Sequence, residues 1–389
     1  MLINEKSQYM SSGEILKREK GNSSEIKMRL NPDIYHDLAW EFMVSKDDIL
    51  EILSKFMFSG NESLSTVRNF ARKMDCLEIS DASEDDQCDP FYSLRLIWDD
   101  GAKIYTTLSN QYTKHFVHWG LSSVKRVKIY IESPLPKYIT DLLLENKNFK
   151  ELKLIDCDLL SAKRLVESRR FDYIKIGWDM ANTWGHISIS AEELKFTAWL
   201  SLALILNADF INTTSLKIGY SDENFDDSFL TMDINSKYGS LKNLELGTMY
   251  MDVSNNTHKI LKFLDLITSN LPNLNSLTFN FEQDTPDLNY NSRTESFNLF
   301  PSFINDFVNY ENDLAAYNEK VQVKINHDIR LRISSSSKKA IENYMKRLKE
   351  ELRSFQYLSK INNSWRCHYF KKSSKIGEKI SLKISVQLI

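Results

Sequence analysis

Along most of the chain, apolar residues come in pairs separated by one polar position, and the pairs recur. Val127/Ile129, Leu152/Leu154, Ile174/Ile176, Leu216/Ile218, Leu244/Leu246 and Leu277/Phe279 each place two apolar side chains on one side of an extended segment, because side chains alternate across a strand. Val321/Val323 and Leu382/Ile384 repeat the pattern in degenerate form. Val124, Phe149, Phe171, Leu241 and Leu274 add an apolar position ahead of their pairs. Residues 149–159, FKELKLIDCDL, fill every consensus position of a leucine-rich repeat, with Cys157 at the tight corner. Amphipathic segments such as 139–144, 160–166 and 260–267 lie between the pairs and are spaced for helices.

The pairs recur at intervals of about 22 to over 40 residues, against roughly 20–29 in regular repeats. Strands alternating with helices, each strand added beside the last, predict an α/β fold. The expected form is an irregular leucine-rich-repeat-like solenoid with an N-terminal small helical unit; a doubly wound sheet is the competitor. Residues 1–25 are polar and patternless and are expected to be a disordered leader. Over 26–75, Asn31-Pro32 opens a first helical stretch, Ser45-x-x-Asp48 caps a second, and a third runs through Val67, Phe70 and Ala71. The remainder, 76–389, holds the strand pairs. Asp99-Asp-Gly101 between two alternating runs predicts a hairpin. Ser190-Ala-Glu-Glu193 ahead of the apolar run 196–206 predicts a capped, buried helix, and the apolar face from Ile341 to Leu358 predicts a long helix with strands closing the array after it.

Composition narrows the function classes. The 389 residues are 42% hydrophobic and 26% charged with a net charge of -3, a globular balance that is not that of an obvious polyanion binder. The most apolar run is too short to cross a bilayer, no secretory pattern opens the chain, and the four cysteines are scattered, so a reducing compartment, cytoplasmic or nuclear, is expected. No glycine-rich nucleotide loop, zinc-protease motif or nucleophile elbow occurs, so no enzyme activity, metal or cofactor is expected. His115 and His118 stand three apart on an expected helix, where partly buried structural roles outweigh metal ligation.

Two segments stand out for binding. Trp178, Trp184 and His186 lie in a loop after a strand pair, where they either anchor a partner or cover a gap in the core. From Lys338 onward there are 13 Lys/Arg against 4 Asp/Glu. Lys346, Arg347, Lys349 and Arg353 on the C-terminal helix would therefore contact nucleic-acid phosphates, or form an ordinary solvated face.

Three short helices followed by irregular leucine-rich repeats resemble F-box proteins, and the layout is most similar to nematode F-box and leucine-rich-repeat families. Leu96-Ile-Trp-Asp-Asp-Gly-Ala-Lys-Ile-Tyr105 is similar to the hairpin that follows the F-box there. Leu30-Asn-Pro32 stands where the family has Leu-Pro, and Val67-Arg-Asn-Phe70 where it has a Cys/Trp-bearing segment. The resemblance implies a substrate receptor of a cullin–RING ubiquitin ligase. It also implies that Leu30, Pro32, Ile34, Leu38, Ile49, Leu53 and Phe56 dock a Skp-type adaptor; the other reading makes them the core of a capping unit. The expectation is thus a non-enzymatic protein–protein interaction protein. Nucleic-acid binding through the C-terminal helix is the alternative, as is a partner-regulated effector of toxin–antidote type that has lost the adaptor link.

Overall fold

The computed structural model describes residues 49–81, 92–107, 113–131, 133–177, 187–199, 202–224, 230–231, 233–250, 253–284, 288–291, 296–297, 303–315, 321–331, 333–334, 338–362 and 365–388. In chain order the strands are β1 (Met74–Asp81), β2 (Tyr92–Trp98), β3 (Lys103–Thr107), β4 (Arg126–Ile131), β5 (Glu151–Cys157), β6 (Phe171–Ile176), β7 (Ile189–Trp199), β8 (Ile211–Asn224) and β9 (Asn243–Tyr250). They continue with β10 (Ser276–Asp284), β11 (Leu288–Asn291), β12 (Ser296–Phe297), β13 (Gln322–Leu331), β14 (Ile333–Ser334), β15 (Gln356–Asn362), β16 (Trp365–Ile376) and β17 (Ile380–Leu388). The helices are α1 (Ile49–Met57), α2 (Asn61–Ala71), α3 (Thr113–Leu121), α4 (Lys137–Glu145), α5 (Leu159–Val166), α6 (Leu202–Leu206), α7 (Val253–Asn270), α8 (Phe303–Ala315) and α9 (Lys338–Glu351).

A 14-stranded sheet runs in the order β15-β16-β17-β13-β10-β9-β8-β7-β6-β5-β4-β1-β2-β3, and β11, β12 and β14 form a small sheet apart. From β1 through β4 to β17 the neighbours in the large sheet are parallel. At one edge β2 and β3 are antiparallel, and at the other β16 and β15 are. Each apolar pair of the sequence becomes one buried stretch of strand. Val127 and Ile129, Leu152 and Leu154, and Ile174 and Ile176 are all fully covered, and each such side chain contributes about 1.5–3 kcal/mol.

These findings overturn the expected fold. The described residues form one open, mixed sheet with antiparallel edges, and neither a leucine-rich-repeat solenoid nor a separate N-terminal helical unit is shown. The connections are unlike one another: a five-residue helix links β7 to β8, a 3-10 turn (Ser236–Ser240) precedes β9, and an 18-residue helix links β9 to β10. An apolar pair around one polar position specifies a half-buried strand, and it carries no information on whether the strand belongs to a repeat or to a continuous sheet. The expected helical unit is absorbed in the same way. Leu53, Met57, Val67, Phe70 and Ala71 of α1 and α2 share one core with Leu77 of β1 and Leu96 of β2.

Two local expectations also change. Residues 189–199 form β7, so the expected cap at 190–193 and the start of the apolar run 196–206 lie in a strand, and of the expected helix only Leu202–Leu206 is helical; Ala191 and Leu194 are buried three positions apart, a spacing that mimics a helix face. The C-terminal helix ends at Glu351, and Leu358 lies in β15. The hairpin forms as expected: Gly101 adopts a φ of 89°, the left-handed turn conformation that glycine allows, and Trp98 N–H donates to Ala102 O at 3.0 Å. Asp158 caps α5 by accepting from Ser161 N–H at 2.9 Å.

Side chains on alternate sides of the strands meet different surroundings. The inward side packs on α4, α5, α7, α8 and α9 through Ile139, Leu143, Leu165, Phe263, Ile267, Tyr310 and Leu348. On the other side the strands carry partly exposed polar residues, as in the alternation of β4 and β13. Among the described residues no helix is long and apolar enough to cross a membrane.

Candidate functional site: a lysine row on the open sheet face

The polar residue inside each apolar pair sits on the open face, and parallel pairing brings these residues into line. Lys128 of β4 is opposite Lys153 of β5, Lys153 opposite Lys175 of β6, Lys175 opposite Lys195 of β7, and Lys195 opposite Lys217 of β8. Neighbouring strands lie about 4.8 Å apart, so the row is a line of closely spaced cations. All of these lysines are partly buried. The row ends in carboxylates: Glu78 of β1 is opposite Lys128, and Glu245 of β9 is opposite Lys217.

The carboxylates neutralise the ends and leave the middle bare. Glu78 holds Lys128 and also Arg95, the latter at 3.0 Å. Lys217 lies 3.4 Å from Glu193 and 3.6 Å from Glu245. Lys153, Lys175 and Lys195 have no carboxylate within ion-pair distance among the described residues; Lys153 only approaches the Tyr173 ring, at 5.8 Å from its centroid. Partial burial lowers the Lys175 pKa, and the charges of Lys195, Lys153 and Lys128 depress it further. Like charges held together in a half-buried row cost free energy, and an anion laid over them would recover it.

On β10 and β13 several polar groups of this face satisfy one another. Asn326 Nδ2 donates to Asn280 Oδ1 at 2.8 Å, Asn280 Nδ2 donates to Leu246 O at 2.9 Å, and Arg330 pairs with Glu282. A cleft of about 580 Å³ beside the β2–β3 turn is lined by Asp75, Asp99 and Lys125, with Lys125 3.5 Å from Asp75 and 3.7 Å from Asp99, and also by Arg72, Lys73 and Asp100. Cys76 and Cys157, the cysteines whose side chains are described, are poorly placed to ionise. Burial, with the charge of Asp158 behind it, pushes Cys157 up to about 12, and burial raises Cys76 as well.

The residues singled out from sequence fall elsewhere. Leu30, Pro32, Ile34 and Leu38 lie outside the described residues, as do Trp178, Trp184 and His186. Ile49 opens α1, Leu53 is buried in the core and Phe56 is half-buried against it. Lys346, Arg347 and Lys349 are brought together on the exposed side of α9, opposite buried Tyr344, Met345 and Leu348, and Arg353 is exposed in the turn that follows. Lys349 Nζ stands 4.0 Å from the centroid of the Tyr357 ring. His115 and His118 are both exposed on α3, and the described residues hold no group of three or more metal-ligating side chains.

Hydrophobic periodicity does not mark the lysine row, because it records only the apolar members of each pair. Its signal was the residue between them: Lys128, Lys153, Lys175, Lys195 and Lys217 all sit at that one position, and Lys195 was hidden in a segment expected to be helical. No protein-family model matches the chain, and no curated protein matches it.

Proposed function

We propose that this chain is a binding protein that holds an anionic segment of a partner protein against the open face of its sheet. The observation that carries this reading is the in-register row Lys128–Lys153–Lys175–Lys195–Lys217, whose central lysines lack carboxylate partners among the described residues. A rigid, continuously hydrogen-bonded sheet holds these cations in fixed relative positions, so little ordering is needed on binding.

The reading is tested with a short peptide carrying a single cluster of acidic residues as probe, its affinity for the intact chain followed by fluorescence anisotropy at rising salt. Binding that weakens with salt and is lost in the Lys153→Glu/Lys195→Glu double variant is the expected result. Binding by that variant at wild-type strength would remove the open face as the site.

A second reading, nucleic-acid binding through α9, has its own support in the clustering of Lys346, Arg347 and Lys349 on one exposed side. Reversing the charge of Lys346 and Lys349 separates the two, since it leaves the sheet face untouched. Ubiquitin-ligase adaptor docking calls for a different test from substitution of Leu53. That residue is buried in the core, and a charge there would disrupt α1 whatever its role.

A further inference from the structure

The charges around the row limit what can lie on it. Glu78 and Glu245 close its two ends. Glu151 and Glu193 stand two residues back from Lys153 and Lys195 on the same strands, and both face the row's flank, opposite Tyr173 between them. Within the row the uncompensated positive charge is therefore confined to Lys153, Lys175 and Lys195, a span of about 10 Å at the usual strand separation. An extended polyanion such as a nucleic-acid strand, or an anionic membrane surface, would bring further negative charge over the flanking carboxylates and be repelled by them. A single dense anion would not.

Resting on the reading above, we infer that the segment held by this face carries a phosphorylated side chain, and that the phosphate sits over Lys153, Lys175 and Lys195. A phosphomonoester brings about -1.5 to -2 charges and three strong acceptor oxygens to one point, enough to engage two or three ammonium groups at once. A carboxylate offers one charge and two acceptor oxygens, so it neutralises only one of the three lysines. Lysine suits the task here: its flexible four-carbon stem lets ammonium groups rooted on three adjacent strands converge on one phosphate. The half-exposed Tyr173 ring beside Lys153 supplies an apolar wall for the rest of the phosphorylated side chain. The flanking Glu151 and Glu193 then favour neutral or basic residues on either side of the phosphate.

The proposal is tested on the full-length chain with three peptide pools of randomised flanks, fixed at the centre as phosphoserine, glutamate or serine. An oligothymidylate and phosphatidylserine vesicles serve as further probes. The phosphoserine pool should bind about ten-fold more tightly than the glutamate pool, the gap expected between a charge-assisted multidentate contact and a single one. Lys175→Gln should lose about that factor, Lys175→Arg should keep most of it, and Lys324→Gln, on distant β13, should change nothing. Thermal melting of each variant checks that the sheet is intact. Equal binding of the phosphoserine and glutamate pools overturns the phosphate assignment while leaving an anionic partner in place. Absence of binding to every pool overturns both readings. Tighter binding of the oligothymidylate or the vesicles overturns the phosphorylated-protein assignment in favour of those classes.

Discussion

Toward one edge of the sheet, at β1, β2 and β4, and farther in, at β5, β6 and β7, the strands all carry charged residues in register, yet the two regions end in opposite electrostatic states. At the edge, Asp75 is only 5% exposed and takes hydrogen bonds from Arg126, with Lys125 at 3.5 Å. Glu78, 13% exposed, is shared between Arg95 and Lys128. Farther in, the row continues with Lys153, Lys175 and Lys195 and no carboxylate to meet them among the described residues. The paired edge is accounted for by folding alone, since a buried carboxylate without its cations would be costly. The bare stretch is not, because uncompensated repulsion works against the fold. A region that a fold must tolerate, when pairing was available to it a strand or two away, is where a ligand is to be sought.

The largest effect should come from breaking the edge. Asp75→Ala removes a nearly covered carboxylate, and a loss of about 2 kcal/mol in urea unfolding is expected. The figure lies below that of a fully buried pair because Arg126 and Lys125 are 43% and 58% exposed and can return to water. The same pairs set the acid limb of stability. Burial alone would raise the Asp75 carboxyl, but the hydrogen bond and charge of Arg126 overcome it and leave the group below its ordinary value. Burial also acts against Glu78, and Lys128 and Arg95 outweigh it. Depressed carboxylates bind fewer protons folded than unfolded, so their stabilisation is full above the unfolded values near about 4 and is lost as pH falls through the folded ones. In Asp75→Asn/Glu78→Gln the acid limb should flatten; an unchanged limb would mean that these pairs do not carry it.

The contrast of paired and unpaired polar groups recurs inside the core, with smaller consequences. Tyr238 is buried and its hydroxyl donates to Ile205 O at 2.5 Å. Tyr310 is buried as fully, but its hydroxyl has no hydrogen-bond partner among the described residues. Tyr238→Phe should therefore cost about 1 kcal/mol, whereas Tyr310→Phe should be neutral or slightly stabilising. Equal losses in the two variants would show that the Tyr310 hydroxyl does find a partner.

How much of this was legible in the sequence follows from what periodicity encodes. The pairs Val127/Ile129 to Leu277/Phe279 located strands because burial on one face demands alternation, and all of them lie within strands of the sheet. Their order and parallel pairing were within reach as well, since each pair is followed by enough chain to cross back. The architecture was not. Nothing in Leu152-Lys-Leu154 distinguishes a repeat unit from a strand of a continuous sheet, and the helices around Leu53 and Val67 look independent until their apolar faces are seen to join Leu77 and Leu96. The site depends on register, which a single strand does not reveal. Five lysines far apart in the chain become a row only when Lys153 faces Lys175 and Lys175 faces Lys195.

The smallest expected effect is the one that most sharpens the comparison, because it has the opposite sign. Lys175 is held below its ordinary pKa, first by partial burial and then by Lys195, Lys153 and Lys128. Its charged form is thus less favourable folded than unfolded, and the penalty applies at all pH values below the folded pKa, neutral pH included. Removing the charge in Lys175→Gln should raise stability by a few tenths of a kcal/mol at low salt, the group being exposed enough for water to screen most of the repulsion. The gain should shrink as added salt takes over that screening. It should also shrink as pH rises through the folded pKa, where wild-type Lys175 gives up its proton. The matched substitution at the edge, Lys128→Gln, should do the reverse, since it deprives Glu78 of a partner. If Lys175→Gln destabilised the chain as Lys128→Gln does, the central lysine would be serving the fold, and the reason for looking there for a ligand would be gone.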